Sequence, residues 1–222
     1  MTREFSHFAR RLLRNERGLA LTEFAFVLPI FITLCVAGTE MTNYITTKMR
    51  LSQIALQIAD NAARMGTGSR LAAKTISETD INDLFAGAQL ESGALNINTN
   101  GRVILSSLEN NAAKTGAADQ YKIGWQRCYG TKTTHASLYG TAGQAKEYMG
   151  TSTRRTGVLP DNATMFVEIY YIYTPIIKAS WVPSMIANEN GALVEIASMA
   201  VRDRRDLTSP PSNSAGATIA TC

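Results

Sequence analysis

Between Leu19 and Gly38 the sequence reads LALTEFAFVLPIFITLCVAG, twenty residues with a single charge, at Glu23. At about 1.5 Å per helical residue, such a run spans roughly the 30 Å hydrocarbon core of a bilayer. Pro29 would interrupt a soluble helix, but within a membrane span it is tolerated as a mild kink. Arg3, Arg10, Arg11, Arg14 and Arg17 precede the run and face only Glu4 and Glu16, whereas Lys48 and Arg50 follow at a distance. Positive charge is retained on the cytoplasmic side, so the short N-terminus stays inside and everything after Thr39 is exported.

The leader supplies most of the formal net charge of +4, and beyond Gly18 the charges nearly balance. A nucleic-acid partner would need a basic face on the folded part, so none is expected. A cleavable secretory signal is the nearest rival, because Cys35-Val36-Ala37 offers a small-x-small pattern before Gly38. The apolar run is long for a signal, and a disposable one has no use for a buried acid that costs about 2.5 to 3.5 kcal/mol. A permanent anchor is the better reading.

The junction Arg17-Gly18-Leu19-Ala20-Leu21-Thr22-Glu23-Phe24 is a basic stretch, a glycine, then an apolar helix with glutamate fifth and an aromatic sixth. It resembles the processing site of type IV pilins and pseudopilins. ERGLALTEFAFVLPIF as a whole resembles the TadE-like (TadE/TadF) proteins of the tight-adherence (Flp) pilus. Further likenesses are Trp125-Gln126-Arg127-Cys128, Glu168-Ile169-Tyr170-Tyr171-Ile172-Tyr173-Thr174-Pro175 and Ala200-Val201-Arg202-Asp203-Arg204-Arg205. The resemblance implies a single-pass protein of the bacterial inner membrane, with its C-terminal domain periplasmic or in the pilus. It implies cleavage between Gly18 and Leu19 by a prepilin peptidase. It also implies partnership with other pilus or pseudopilin subunits and the inner-membrane assembly platform. Independently of any family, a carboxylate one turn inside an apolar helix needs a partner, and the new Leu19 ammonium of a cut chain is a candidate. By resemblance Glu23, with Phe24 beside it, is an assembly residue. The plainer reading seats Glu23 at the headgroup level near Arg14 and Arg17.

The expected organisation is a basic leader (1–18), a transmembrane helix (19–39), an amphipathic extension (40–65), an exported α+β domain (66–207) and an irregular tail (208–222). Tyr44, Ile45, Met49, Ile54, Ile58, Ala62 and Met65 keep mostly helical spacing, and Gly66-Thr67-Gly68 supplies the stop. A second helix from about Asp80 to Gln89 is expected, capped by Ser77 or Thr79. Strand-like runs cover Arg102–Leu108, Tyr121–Arg127, Met165–Tyr173 and Leu193–Val201. A long helix followed by these predicts an α+β fold with an antiparallel sheet of about four strands, and the resemblance implies that it is pilin-like. Gly130 to Gly157, rich in Gly, Thr and Ser, reads as a long surface loop.

Cys128 and Cys222 are the only cysteines of the exported part, and an oxidising compartment favours their bridging. In the chain-entropy model the link contributes about 4 to 5 kcal/mol. The alternative is two thiols too far apart to pair. No catalytic constellation, cofactor or metal site is expected, since His7 lies in the leader and His135 stands alone in a loop. Gly140, Gly143 and Lys146 lack phosphate-loop spacing. Asn162-Ala163-Thr164 reads first as a turn, Arg202, Arg204 and Arg205 as a solvated strand edge, and Tyr170, Tyr171 and Tyr173 as core with at least one exposed. The leading function is assembly within a pilus system. The rivals are an uncleaved, membrane-anchored binding or adhesion domain and a secreted enzyme released after Ala37.

Overall fold

The computed structural model describes residues 17–68, 72–176, 191–208 and 211–222. Four leader arginines (Arg3, Arg10, Arg11 and Arg14), His7 and the tail residues Ser209 and Pro210 lie outside the described residues. Helix α1 covers Arg17–Arg64, 48 residues that pass through Pro29. Four threonines within and just beyond the apolar run satisfy themselves: Thr22, Thr33, Thr39 and Thr42 each donate a hydroxyl to a carbonyl three or four residues back. A hydroxyl bonded this way presents little polarity to lipid. The helix stops where the sequence leads one to expect, at Gly66 with φ 109°. A Cβ there would lie 2.8 Å from the Thr75 carbonyl oxygen, which Thr67 meets in a small antiparallel bridge.

Helix α2 (Glu78–Ser92) is longer than the pattern predicts, starting two residues earlier and ending three residues later. The Ser77 hydroxyl accepts from the Asp80 amide and the Asp80 carboxylate accepts from the Ser77 amide, a reciprocal cap. A 3-10 turn (Gly93–Leu95) and α3 (Ile97–Asn100) lead into the sheet. The strands are β1 (Gly101–Asn110), β2 (Tyr121–Tyr129), β3 (Ala145–Lys146), β6 (Ala163–Ile172) and β7 (Ala192–Ala200), in the order β3-β2-β1-β6-β7, all antiparallel. A separate hairpin pairs β4 (Met149–Thr151) with β5 (Arg154–Thr156).

The fold is thus α+β with a five-stranded sheet rather than one of about four strands. The extra strand and the hairpin fall inside the stretch 130–157 expected to be loop. They are two or three residues long, too short for an alternating pattern, and depend on partners distant in sequence. The sheet has unlike faces. On one, Val103, Leu105, Val167 and Ile169 pack with Leu51, Ile58 and Ala62 of α1 and with Ile81 and Phe85 of α2. Buried Glu78 receives the Arg127 guanidinium and Phe85 stacks on Tyr129, which docks α2 on β2. On the other face Leu108, Ile123, Met149 and Phe166 form a smaller cluster under Tyr139 and Val158. The register shift at Ser107/Leu108 aims Leu108 at this second cluster and seats the Glu109 carboxylate over Gly124, where a Cβ would collide with it.

Candidate functional site

From Leu19 to Leu34 the large apolar side chains of α1 are exposed. Its most apolar window is 0% buried, with mean hydropathy 2.3, long and apolar enough to cross a membrane. Gly18 and Leu19 lie in the first turn and are exposed, as are Glu23 and Phe24. Among the described residues Glu23 has no ion pair or hydrogen bond. At about 100° per residue, Glu23, Val27, Leu34, Met41, Ile45, Met49 and Leu56 fall within a sector of about 80°. All are exposed, so one apolar stripe begins at Glu23 and continues past the membrane-length segment along the domain.

Glu40, two residues past the apolar run, is 1% exposed. Its carboxylate accepts from the Tyr173 hydroxyl at 2.5 Å and from the Ile176 amide at 3.1 Å. Asn43 donates to the same hydroxyl at 2.7 Å, and Tyr44 meets the Tyr173 ring edge-on at 5.4 Å. Burial first, then the bond to Glu40, pushes the Tyr173 phenol up to about 12. This knot locks the start of the domain onto the helix just where the apolar span ends. Sequence reading passed over Glu40 because its partners come more than 130 residues later.

The segments around residues 125–128, 168–173 and 202–205 help to hold the domain together. Trp125 is core, Gln126 donates to Ser106 and to the Gly140 carbonyl, and Arg127 holds Glu78. Cys128 is bonded to Cys222, and its amide donates to the Ala220 carbonyl at 2.8 Å. Cys35 is a free thiol in the apolar span. His135 does not stand alone: its Nε2 is 3.0 Å from Glu168 and its ring stacks on Tyr170. Glu168, 1% exposed, also takes the Ser137 hydroxyl and the Leu138 amide, so one carboxylate fixes the loop. Tyr171 and Tyr173 are buried and Tyr170 is half-buried. Asn162 sits in a turn beside Asp161 at φ 54° and donates to the Val201 carbonyl.

The arginine run is not a uniformly solvated edge. Arg202 and Arg204 are exposed, but Arg205 is buried and its guanidinium caps the C-terminus of α1, donating to the carbonyls of Ala62, Ala63 and Met65. Burial pushes it down to about 10, which leaves it charged at neutral pH. A cation at a helix C-terminus is favourable because three carbonyls there lack intrahelical partners. A family model described as TadE-like protein matches residues 18–67. No curated protein and no solved structure matches the chain.

Proposed function

We propose that this chain, TadE-like across residues 18–67, is a pseudopilin-like or minor-pilin component in the biogenesis of a tight-adherence pilus. A prepilin peptidase cuts it between Gly18 and Leu19, and it assembles by helix packing in the inner membrane and by domain contacts outside it. The single observation that carries this reading is the stripe that starts at Glu23 and continues through Met41, Ile45, Met49 and Leu56. An anchor alone needs apolar surface only within lipid. Four large apolar side chains on one face of the exported helix have no use to a lone anchored domain, but they suit a neighbouring helix. Glu23 heads that face and has no partner among the described residues, which leaves it available to the Leu19 ammonium of an adjacent cut subunit. Such a pair gains from low dielectric and loses by desolvation, so its attraction is selective as to position.

The test compares strains making equal amounts of wild-type and Glu23→Leu protein. The variant span is at least as apolar, so membrane insertion is retained. Crosslinking and co-purification with the other pilus proteins should fall, and pilus production with them. Unchanged recovery and normal pili would leave Glu23 at the headgroup level and favour the uncleaved, anchored binding domain.

A further inference from the structure

One outer edge of the sheet is closed by the chain itself. Along β2 the Ile123 amide donates to the Gln144 carbonyl, the Ile123 carbonyl accepts from Gly143, β3 pairs with Tyr121 and Lys122, and the Cys128 amide takes the tail at Ala220. The opposite edge, β7, has no such cover. The Tyr173 amide donates to the Gly191 carbonyl and the Val201 amide to the Ala163 carbonyl, with an unbroken register between them. Antiparallel bonding alternates, so odd-numbered residues of β7 face β6, while Ala192, Val194, Ile196, Ser198 and Ala200 turn their N–H and C=O groups outward. None of these groups has a main-chain partner among the described residues. The strand is nine residues long and carries no proline, lysine or bulge, the devices that keep other chains off an edge.

Contacts with α1 fix the polarity of this edge. Tyr173, beside Gly191, bonds Glu40; Glu195 lies 3.8 Å from Lys48; Arg205, just past the strand, reaches Ala62 and Met65. β7 therefore runs in the same direction as α1. A second copy pairing antiparallel through its own β7 would have its α1 reversed, and two such apolar spans could not share one bilayer. That step rests on α1 being the anchor, as in the function proposed above. The β2 edge of a second copy is already closed. The charge around β7 is also one-sided. The β4–β5 hairpin lies against it, Thr156 bonding Ser198 at 2.9 Å, and brings up exposed Arg154, which has no ion pair among the described residues. Burial raises the Glu195 carboxyl while Lys48 and Arg154 pull it back, so two cations surround one acid.

We propose that β7 accepts an extended strand from a partner protein, apolar at alternate positions and carrying an acidic side chain toward Arg154. Main-chain bonding supplies the attraction and the alternate side chains the selectivity. The experiment adds nine-residue peptides to the full chain in detergent micelles and follows amide hydrogen exchange by NMR. One peptide alternates valine with threonine and glutamate, a second has lysine for glutamate, and a third is the first with alternate amides N-methylated. The glutamate peptide should slow exchange at Val194, Ile196 and Ser198 by about tenfold or more, leaving Leu193 and Ala197, which face β6, unchanged. The lysine peptide should bind about threefold more weakly, and Arg154→Glu should erase that preference. Val194→Pro removes an outward N–H that the fold does not use, so it should abolish the protection. Glu23→Leu should bind the peptide as wild type does, which separates this result from the fate of the assembly reading. The proposal is overturned if saturating peptide leaves the outward amides unprotected or if the N-methylated peptide binds equally well, and neither outcome needs a variant to fold. Self-association of the chain without peptide, abolished by Val194→Pro, would overturn it in favour of a second copy.

Discussion

Arg205 and Arg204 are neighbours in sequence with opposite circumstances, one buried under three carbonyls at the end of α1 and the other in water. Replacing Arg205 with Met should destabilise the domain by about 1 to 3 kcal/mol, because it strands buried acceptors. Arg204→Met should stay within about 0.5 kcal/mol. Urea denaturation of both variants in detergent measures the contrast. Tyr173 makes a second test. Its folded phenol loses its proton near 12 against 10.0 for the unperturbed group. The folded state therefore holds that proton more tightly, a stabilisation complete below pH 10 and lost as pH rises from about 10 to 12. In Tyr173→Phe this alkaline loss should be shallower while stability at pH 7 falls, as pH-dependent thermal melts would report. An unchanged alkaline limb would show that Tyr171 or Tyr139, whose phenols burial also raises, governs it.

At the scale of elements, the tail depends on its tether. Its described residues 211–222 form neither helix nor strand, and beyond the bridge at Ser212 they are held by the Asn82 side chain, the Cys128 amide and the disulfide. Cys222→Ser should cost about 2 to 5 kcal/mol and expose the tail to protease. Alkylation of the protein taken from cells should find the Cys128 and Cys222 thiols blocked before reduction and free after it. The four longest strands and both long helices were readable because each carries its own periodicity over nine residues or more. β3 and the β4–β5 hairpin were not, since nothing in two or three residues distinguishes a strand from a turn. The same limit applied to side chains. A cap at Ser77 or Thr79 was legible within a few residues and the structure places it at Ser77, whereas the burial of Glu40, Glu168 and Arg205 is created by chain that returns 30 to 143 residues away.

For the whole molecule, the proposed assembly requires a mature chain that begins at Leu19. Intact mass and N-terminal sequencing of membrane-extracted protein should find that terminus, while an intact Met1 would favour the uncut anchor. Whatever holds the first half of α1 also aims the domain, because the helix passes from one to the other without a break and the Glu40–Tyr173 knot fastens the two at the boundary. From Glu40 to Arg64 the helix runs about 36 Å. A tilt of about 20° at the membrane therefore swings the far end sideways by about 12 Å. In the proposed assembly the chain would act as a lever with its fulcrum at the membrane surface, so that a small change in how neighbouring helices lean within lipid would become a nanometre-scale displacement of the outer tip.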